Sequence, residues 1–220
     1  MKNIFKSSIG RKIAMALSGV FLIVFLTQHF IINITSVFSE DIFNMLSHFM
    51  GNNPLVQFIL QPILIAGVLF HFVMGFVLEW QNRKARPVTY AMYKGSKNSM
   101  FVSRNMIISG IVILSFLVLH FYDFWVPEMD YKYIQVKPED PDRYYEELIH
   151  KFESPIRVSL YCLSFIFLGL HLVHGLSSST QSLGTNNKYA STIQKISYAF
   201  GIGIPLGFCF IALYHFFIHL

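Results

Sequence analysis

Charged residues are absent from five stretches of the chain, 13–39, 42–78, 105–122, 158–187 and 196–220. A helix crossing a bilayer needs about 20 apolar residues, so each stretch has room for one span. The second is long enough for more than one, and "MGNNP" at 50–54 interrupts it. What remains is a helix from about Val56 to Trp80, with Pro62 tolerated near its start. The pattern predicts helices at about 13–36, 56–80, 104–125, 156–178 and 194–218, with longer linkers at about 37–55 and 126–155. The expected fold is a single all-α integral membrane domain over 1–220. The first stretch has "RKIAMALSG" at its head and no small-residue cleavage pattern leading into a mature domain, so it reads as a retained span.

Both linkers carry helical periodicity of their own. "SEDIFNMLSHFM" predicts a short amphipathic helix capped by Ser39, with Ile42, Phe43, Leu46, Phe49 and Met50 on its apolar side. "PDRYYEELIHKFESP" predicts another from about Arg143, with Tyr144, Leu148, Ile149 and Phe152 at helical spacing. No internal repeat or low-complexity segment is evident.

Composition agrees with a membrane solvent: 54% of residues are hydrophobic, 13% are charged, and 23 are Phe. The mean hydropathy is +0.50. Twelve of the 17 basic residues fall in three segments. Lys2, Lys6, Arg11 and Lys12 precede helix one; Arg83, Lys84, Arg86, Lys94, Lys97 and Arg104 lie between helices two and three; Lys188 and Lys195 lie between four and five. Positive flanks stay on the cytoplasmic side, which puts the N-terminus inside and the C-terminus outside. The net charge of +5 thus describes topology and calls for no nucleic-acid partner. Cys162 and Cys209 are too few for an iron–sulfur cluster or a zinc site, so any cluster belongs to another subunit. There is no phosphate-binding glycine loop, no nucleophile elbow and no paired or buried carboxylate at membrane depth.

Histidines are the polar residues left inside the spans. Taking about 1.5 Å of rise per residue, His29 and His120 fall in the outer half, on helices one and three. His71, with His171 and His174, falls in the inner half, on helices two and four. A lone membrane histidine is ordinarily an interhelical hydrogen-bonding residue. Two pairs at matched depths, about 15 Å apart, suit two b-type haems, each held between neutral histidines of separate helices. Gly67 and Gly75 flank His71 at helical spacing and Gly175 follows His171, so backbone can approach a ring there. Gly19 and Gly110, ten residues before His29 and His120, lie near the inner depth. Trp80 and Trp125 read as interfacial anchors.

"LTQHFIIN", "FNMLSHFMGNNP", "LFHFVMGF", "LVLHFYD" and "GLHLVHGL", in this order, resemble the membrane anchor of succinate:quinone oxidoreductases of the single-subunit, five-helix, dihaem cytochrome b type. The resemblance covers all five spans. It implies that His29 and His120 ligate the iron of the outer, distal haem b and His71 and His171 that of the inner, proximal one. The family's glycine four residues after the ligand favours His171, by way of Gly175, over His174, which is left as a neighbour. It further implies a flavoprotein and an iron–sulfur subunit docked on the cytoplasmic face, in a bacterial inner membrane. In that arrangement, the respiratory complex II of the tricarboxylic acid cycle, electrons from succinate pass through both haems to a quinone, usually menaquinone. The chain has no succinate site of its own. With two histidines per iron there is no open position for oxygen or substrate.

The quinone site is expected in the outer half, with His48 as proton donor or acceptor and Asn33 and Asn44 as further candidates. The helix after Arg143 is expected to cap this region. His215 and His219 are expected at the interface, and His150 in the outer loop. On the inner side Arg11, Lys12, Arg83 and Arg104 are candidates for haem propionates or an acidic iron–sulfur partner. Other readings stand beside this one: a quinol:fumarate reductase running in reverse, a cytochrome b anchor of a hydrogenase or formate dehydrogenase, and a haem-free transporter using the histidines for protons or substrate.

Overall fold

The computed structural model describes residues 7–84, 106–184 and 189–219. Lys2, Lys6, Arg86, Lys94, Lys97, Arg104 and Lys188 lie outside the described residues. Among the described residues every regular element is helical. Five helical stretches are long and apolar enough to cross a membrane: Ser8–Val37, Val56–Lys84, Met106–Ile134, Pro155–Ser182 and Ala190–Ile218. This is the architecture of a multi-pass membrane protein.

The first span is α1 (Ser8–Ile34), closed by a 3-10 turn at Thr35–Val37. Ser7 caps it, accepting from the Gly10 amide at 2.9 Å. The linker helix α2 (Glu40–Asn52) follows, capped by Ser39 through the Ile42 amide. A π-turn at Val56–Leu60 leads into α3 (Gln61–Lys84). The third span begins as α4 (Met106–His120) and continues through π-turns at Phe121–Trp125 and Asp130–Ile134 on either side of Val126–Met129. Then come α5 (Arg143–Phe152), α6 (Pro155–Ser182) and α7 (Ala190–Ile218). Ser154 at the N-cap and Pro155 at the first position start α6 in the manner such residues favour.

Apolar side chains point outward along the spans: Val24, Phe58, Val118 and Leu206 are each more than 60% exposed. A bilayer supplies the apolar surroundings these residues need, because the backbone is satisfied within each helix. The tight core is local. Phe43, Leu148, Phe152, Val158, Tyr161, Phe165, Phe208, Ile211 and Ala212 pack together where α2 and α5 meet α6 and α7. Helix α3 buries no residue. The closest crossing joins α6 to α7, where the place of a Cβ on Gly169 is 3.0 Å from the Gly201 carbonyl oxygen; only the lack of a side chain lets the two backbones meet this closely.

Two expectations need correction. The third helix does not stop near 125 but runs to Ile134, because its late charges are paired: Glu128 accepts from Tyr144 at 2.8 Å and meets Lys132 and Arg143. The buried side of α2 is Phe43 and Asn44, whereas Ile42 and Phe49 are exposed. Asn44 turns inward because its Oδ1 accepts the Tyr145 amide of α5 at 2.9 Å.

Candidate functional site

Four histidines meet in two pairs, each pair drawn from two different spans. His29 of α1 faces His120 of α4 with ring centroids 5.7 Å apart and planes at 84°. His71 of α3 faces His171 of α6 at 6.3 Å and 68°. A metal–imidazole bond is about 2 Å and the ring centre lies about 1 Å beyond the nitrogen, so two imidazoles on one metal have centroids about 6 Å apart. Both pairs match that separation. Edge-to-face rings pack at the same distance, so the polar contacts around each pair carry the rest of the comparison.

Around the inner pair those contacts are serine hydroxyls. Ser18 Oγ lies 3.0 Å from His71 Nδ1, and Ser109 Oγ lies 3.1 Å from His171 Nδ1. Glycines sit at the ring edges: a Cβ on Gly19 would be 3.6 Å from His71 Cε1, and one on Gly110 would be 3.9 Å from His171 Cε1. Both small residues thus lie beside the inner pair, as expected. Gly67, Gly75 and Gly175 do not open a slot beside a histidine ring. Their places face Phe21, Met15 and Met106 respectively, because neighbouring helices fill those notches with long side chains. His171, not His174, is the ring opposite His71.

The outer pair sits in an aromatic box. Phe25 stacks on His29 at 5.5 Å, Phe116 on His120 at 5.7 Å, and Phe124, Tyr161 and Phe208 close the sides. His120 Nδ1 is buried with no hydrogen-bond partner among the described residues. Asn33 donates to the His29 carbonyl at 2.8 Å and stays 3.5 Å from the His29 ring.

The two levels are set along shared helices. Ser18 and His29 are eleven residues apart on α1, as are Ser109 and His120 on α4, or about 16 Å of axial rise. The outer pair, with a buried His120 Nδ1 that no described residue meets, is not a closed polar network, and the ring separations at both levels fit two imidazoles sharing one metal. Arg11 fits the same picture near the start of α1, since its Nε is buried with no hydrogen-bond partner among the described residues and suits an anionic group. Arg83, by contrast, is committed to Glu79 at 2.6 Å.

The quinone candidates are spread. His48 lines a cavity of about 350 Å³ with Asn52, Tyr131, Lys132, Arg143 and Tyr144 among its walls; its Nε2 is 3.1 Å from the Pro141 carbonyl. Asn44 Oδ1 joins α2 to α5, and its Nδ2 is buried with no hydrogen-bond partner among the described residues. Asn33 is the one beside a paired histidine. As expected of a capping element, α5 packs over this end of the bundle, with Phe152 against Tyr161 at 5.4 Å.

The spans also hold groups that sequence reasoning missed. Asp123 is a buried carboxylate, contrary to the expected absence of one: it is 1% exposed, 2.8 Å from an Arg157 nitrogen, and accepts from Tyr161 at 2.9 Å. Its charge is neutralised in place, so it offers no free carboxylate to a transported proton or ion. His215 is not interfacial but fully buried, with Nε2 2.9 Å from Ser36 Oγ; the 3-10 turn after α1 brings that serine across to α7. No periodicity flags either contact, because each depends on two spans lying side by side. Comparison of the chain with protein-family models, with curated proteins and with solved structures gives no match.

Proposed function

We propose that this chain is the dihaem cytochrome b subunit of a succinate:quinone oxidoreductase, anchoring a flavoprotein and an iron–sulfur subunit at the membrane and conducting their electrons to a quinone, menaquinone by the family resemblance. The observation that carries the reading is the meeting of His29 with His120 and of His71 with His171, on two levels and across four spans. Under it His71 and His171 hold the inner haem b, and His29 and His120 the outer. When bound, each haem supplies a one-electron centre whose potential its surroundings tune.

The residues of the chain do the rest. The paired imidazoles would hold each haem iron from both sides and would leave oxygen no place to bind. The phenylalanines around His29 and His120 keep water from that level. Arg11 on the partner side neutralises an anionic substituent or meets an acidic partner surface. Asn33 and His48 stand at the end where a quinone would take up or release protons. The same set serves fumarate reduction when the partner subunits drive electrons the other way.

A reduced-minus-oxidised spectrum of the purified complex, with a haem-to-protein ratio, tests the proposal. Two b haems are expected in the parent. His29→Ala and His71→Ala should each lose a different one. A colourless parent, or a complex lacking a flavoprotein partner, rejects it.

A further inference from the structure

Ser18 and Ser109 have one hydroxyl hydrogen each, and each gives it to the carbonyl three residues earlier on its own helix: Ser18 to Met15 at 2.8 Å, Ser109 to Met106 at 2.9 Å. Toward the histidines the two oxygens can therefore only accept. His71 Nδ1 and His171 Nδ1, at 3.0 and 3.1 Å, must be the protonated nitrogens. A neutral imidazole protonated at Nδ1 has its lone pair on Nε2, and among the described residues no partner meets Nε2 of either ring. We infer that Ser18 and Ser109 are positioning residues that lock His71 and His171 in the Nδ1–H tautomer and present two bare Nε2 atoms to one metal. This rests on the function proposed above and deepens it.

The outer pair lacks such an anchor. His120 Nδ1 has no hydrogen-bond partner among the described residues, and the amide of Asn33 stands 3.5 Å from both nitrogens of His29 without choosing one. The two levels are thus held by different physics, hydroxyl acceptors at one and ring packing at the other. The arrangement repeats in the sequence: "SGVFLIVFLTQH" in α1 and "SGIVILSFLVLH" in α4 share Ser-Gly, nine residues, His. In each, the serine orients a histidine of the next span, the glycine leaves room at that ring's edge, and the terminal histidine joins the other pair. The spacing is a repeat that inspection of the sequence alone passes over, since nothing but the fold gives its three positions their roles.

A hydrogen bond accepted from Nδ1–H makes the imidazole a stronger donor and favours the more highly charged ferric metal. Its loss should raise the midpoint potential of the inner haem. The experiment is a potentiometric titration of the intact membrane complex, with low-temperature electron paramagnetic resonance, for Ser18→Ala, Ser109→Ala and the control Ser115→Ala. Ser115 is on the same helix as Ser109, and among the described residues its hydroxyl bonds only to the Ile111 carbonyl. The inner centre is the one that His71→Ala removes. Each of the first two variants should shift its ferric–ferrous equilibrium about tenfold, some 59 mV for one electron, and leave the outer centre in place; Ser115→Ala should move neither. Ser18→Thr and Ser109→Thr should restore the parent value. Unchanged midpoints and resonance in both alanine variants overturn the inference while two haems remain. If the alanine variants do not assemble, threonine and cysteine at the same positions give the comparison, and equal midpoints overturn it. A colourless parent instead overturns the underlying function, and this inference with it.

Discussion

Asp123 and Arg157 show what a single charge costs inside the spans. The carboxylate is closed off from solvent, with the guanidinium and the Tyr161 phenol as its partners. Removing one member of such a pair leaves an uncompensated charge, at about 3–5 kcal/mol. Arg157→Leu should therefore destabilise the protein by that order, read as a lower denaturant midpoint in detergent, and adding Asp123→Leu should recover much of the loss. Recovery of nothing would mean that the two groups are not coupled. His215 makes a related point: Ser36 donates to the Asn33 carbonyl at 2.7 Å, so its oxygen accepts from the buried His215 Nε2 and ties the end of α1 to α7.

At the scale of elements, α5 is held by a polar knot and not by apolar packing alone. Arg143 pairs with Glu128 and, at 2.9 Å, with Glu147, and its guanidinium lies 4.2 Å from the Tyr131 ring centre. Burial, and after it the Glu128 carboxylate, pushes the Tyr144 phenol above its ordinary 10.0. The neutral phenol is then the folded form, and it donates to Glu128. Its contribution is complete below about pH 10 and is lost as pH rises beyond that. Tyr144→Phe should flatten the fall in melting temperature between about pH 10 and pH 12; an identical slope would exclude Tyr144 from that loss. Burial also raises the Glu147 carboxyl, against the Arg143 charge that lowers it.

The whole molecule is a bundle whose apolar core cluster gathers at one end. The core residues gather beside α2 and α5, whereas α3 buries no residue and α1 buries only Gly10 and Ala16. Arg11, Lys12, Arg83, Lys84 and Lys195 lie at the opposite end, and the proposed orientation sets that end in the cytoplasm against the partner subunits. A cytoplasm-dependent fluorescent reporter inserted after Lys97 should glow, and a periplasm-dependent phosphatase inserted after Lys137 should be active. The opposite pattern would invert the topology and remove the docking face.

Much of this was legible in one dimension. Five spans, two linker helices, the Ser39 cap and the two levels of the paired histidines follow from hydropathy, periodicity and rise per residue, all properties of a chain segment by itself. His29, His71, His120 and His171 stand out because a polar ring in a charge-free run has no local partner. The partners decided elsewhere were invisible for the complementary reason. Which ring faces which, the commitment of Ser18 and Ser109 to histidines of other helices, the pairing of Asp123 with Arg157 and the burial of His215 depend on neighbours 34 to 179 residues away in the chain. Sequence by itself determined where helices cross and at what level their polar groups lie, since backbone in lipid must satisfy itself within each helix. Only the tertiary structure decided how the helices turn toward one another, and so which polar atoms find partners and which four imidazoles close into pairs.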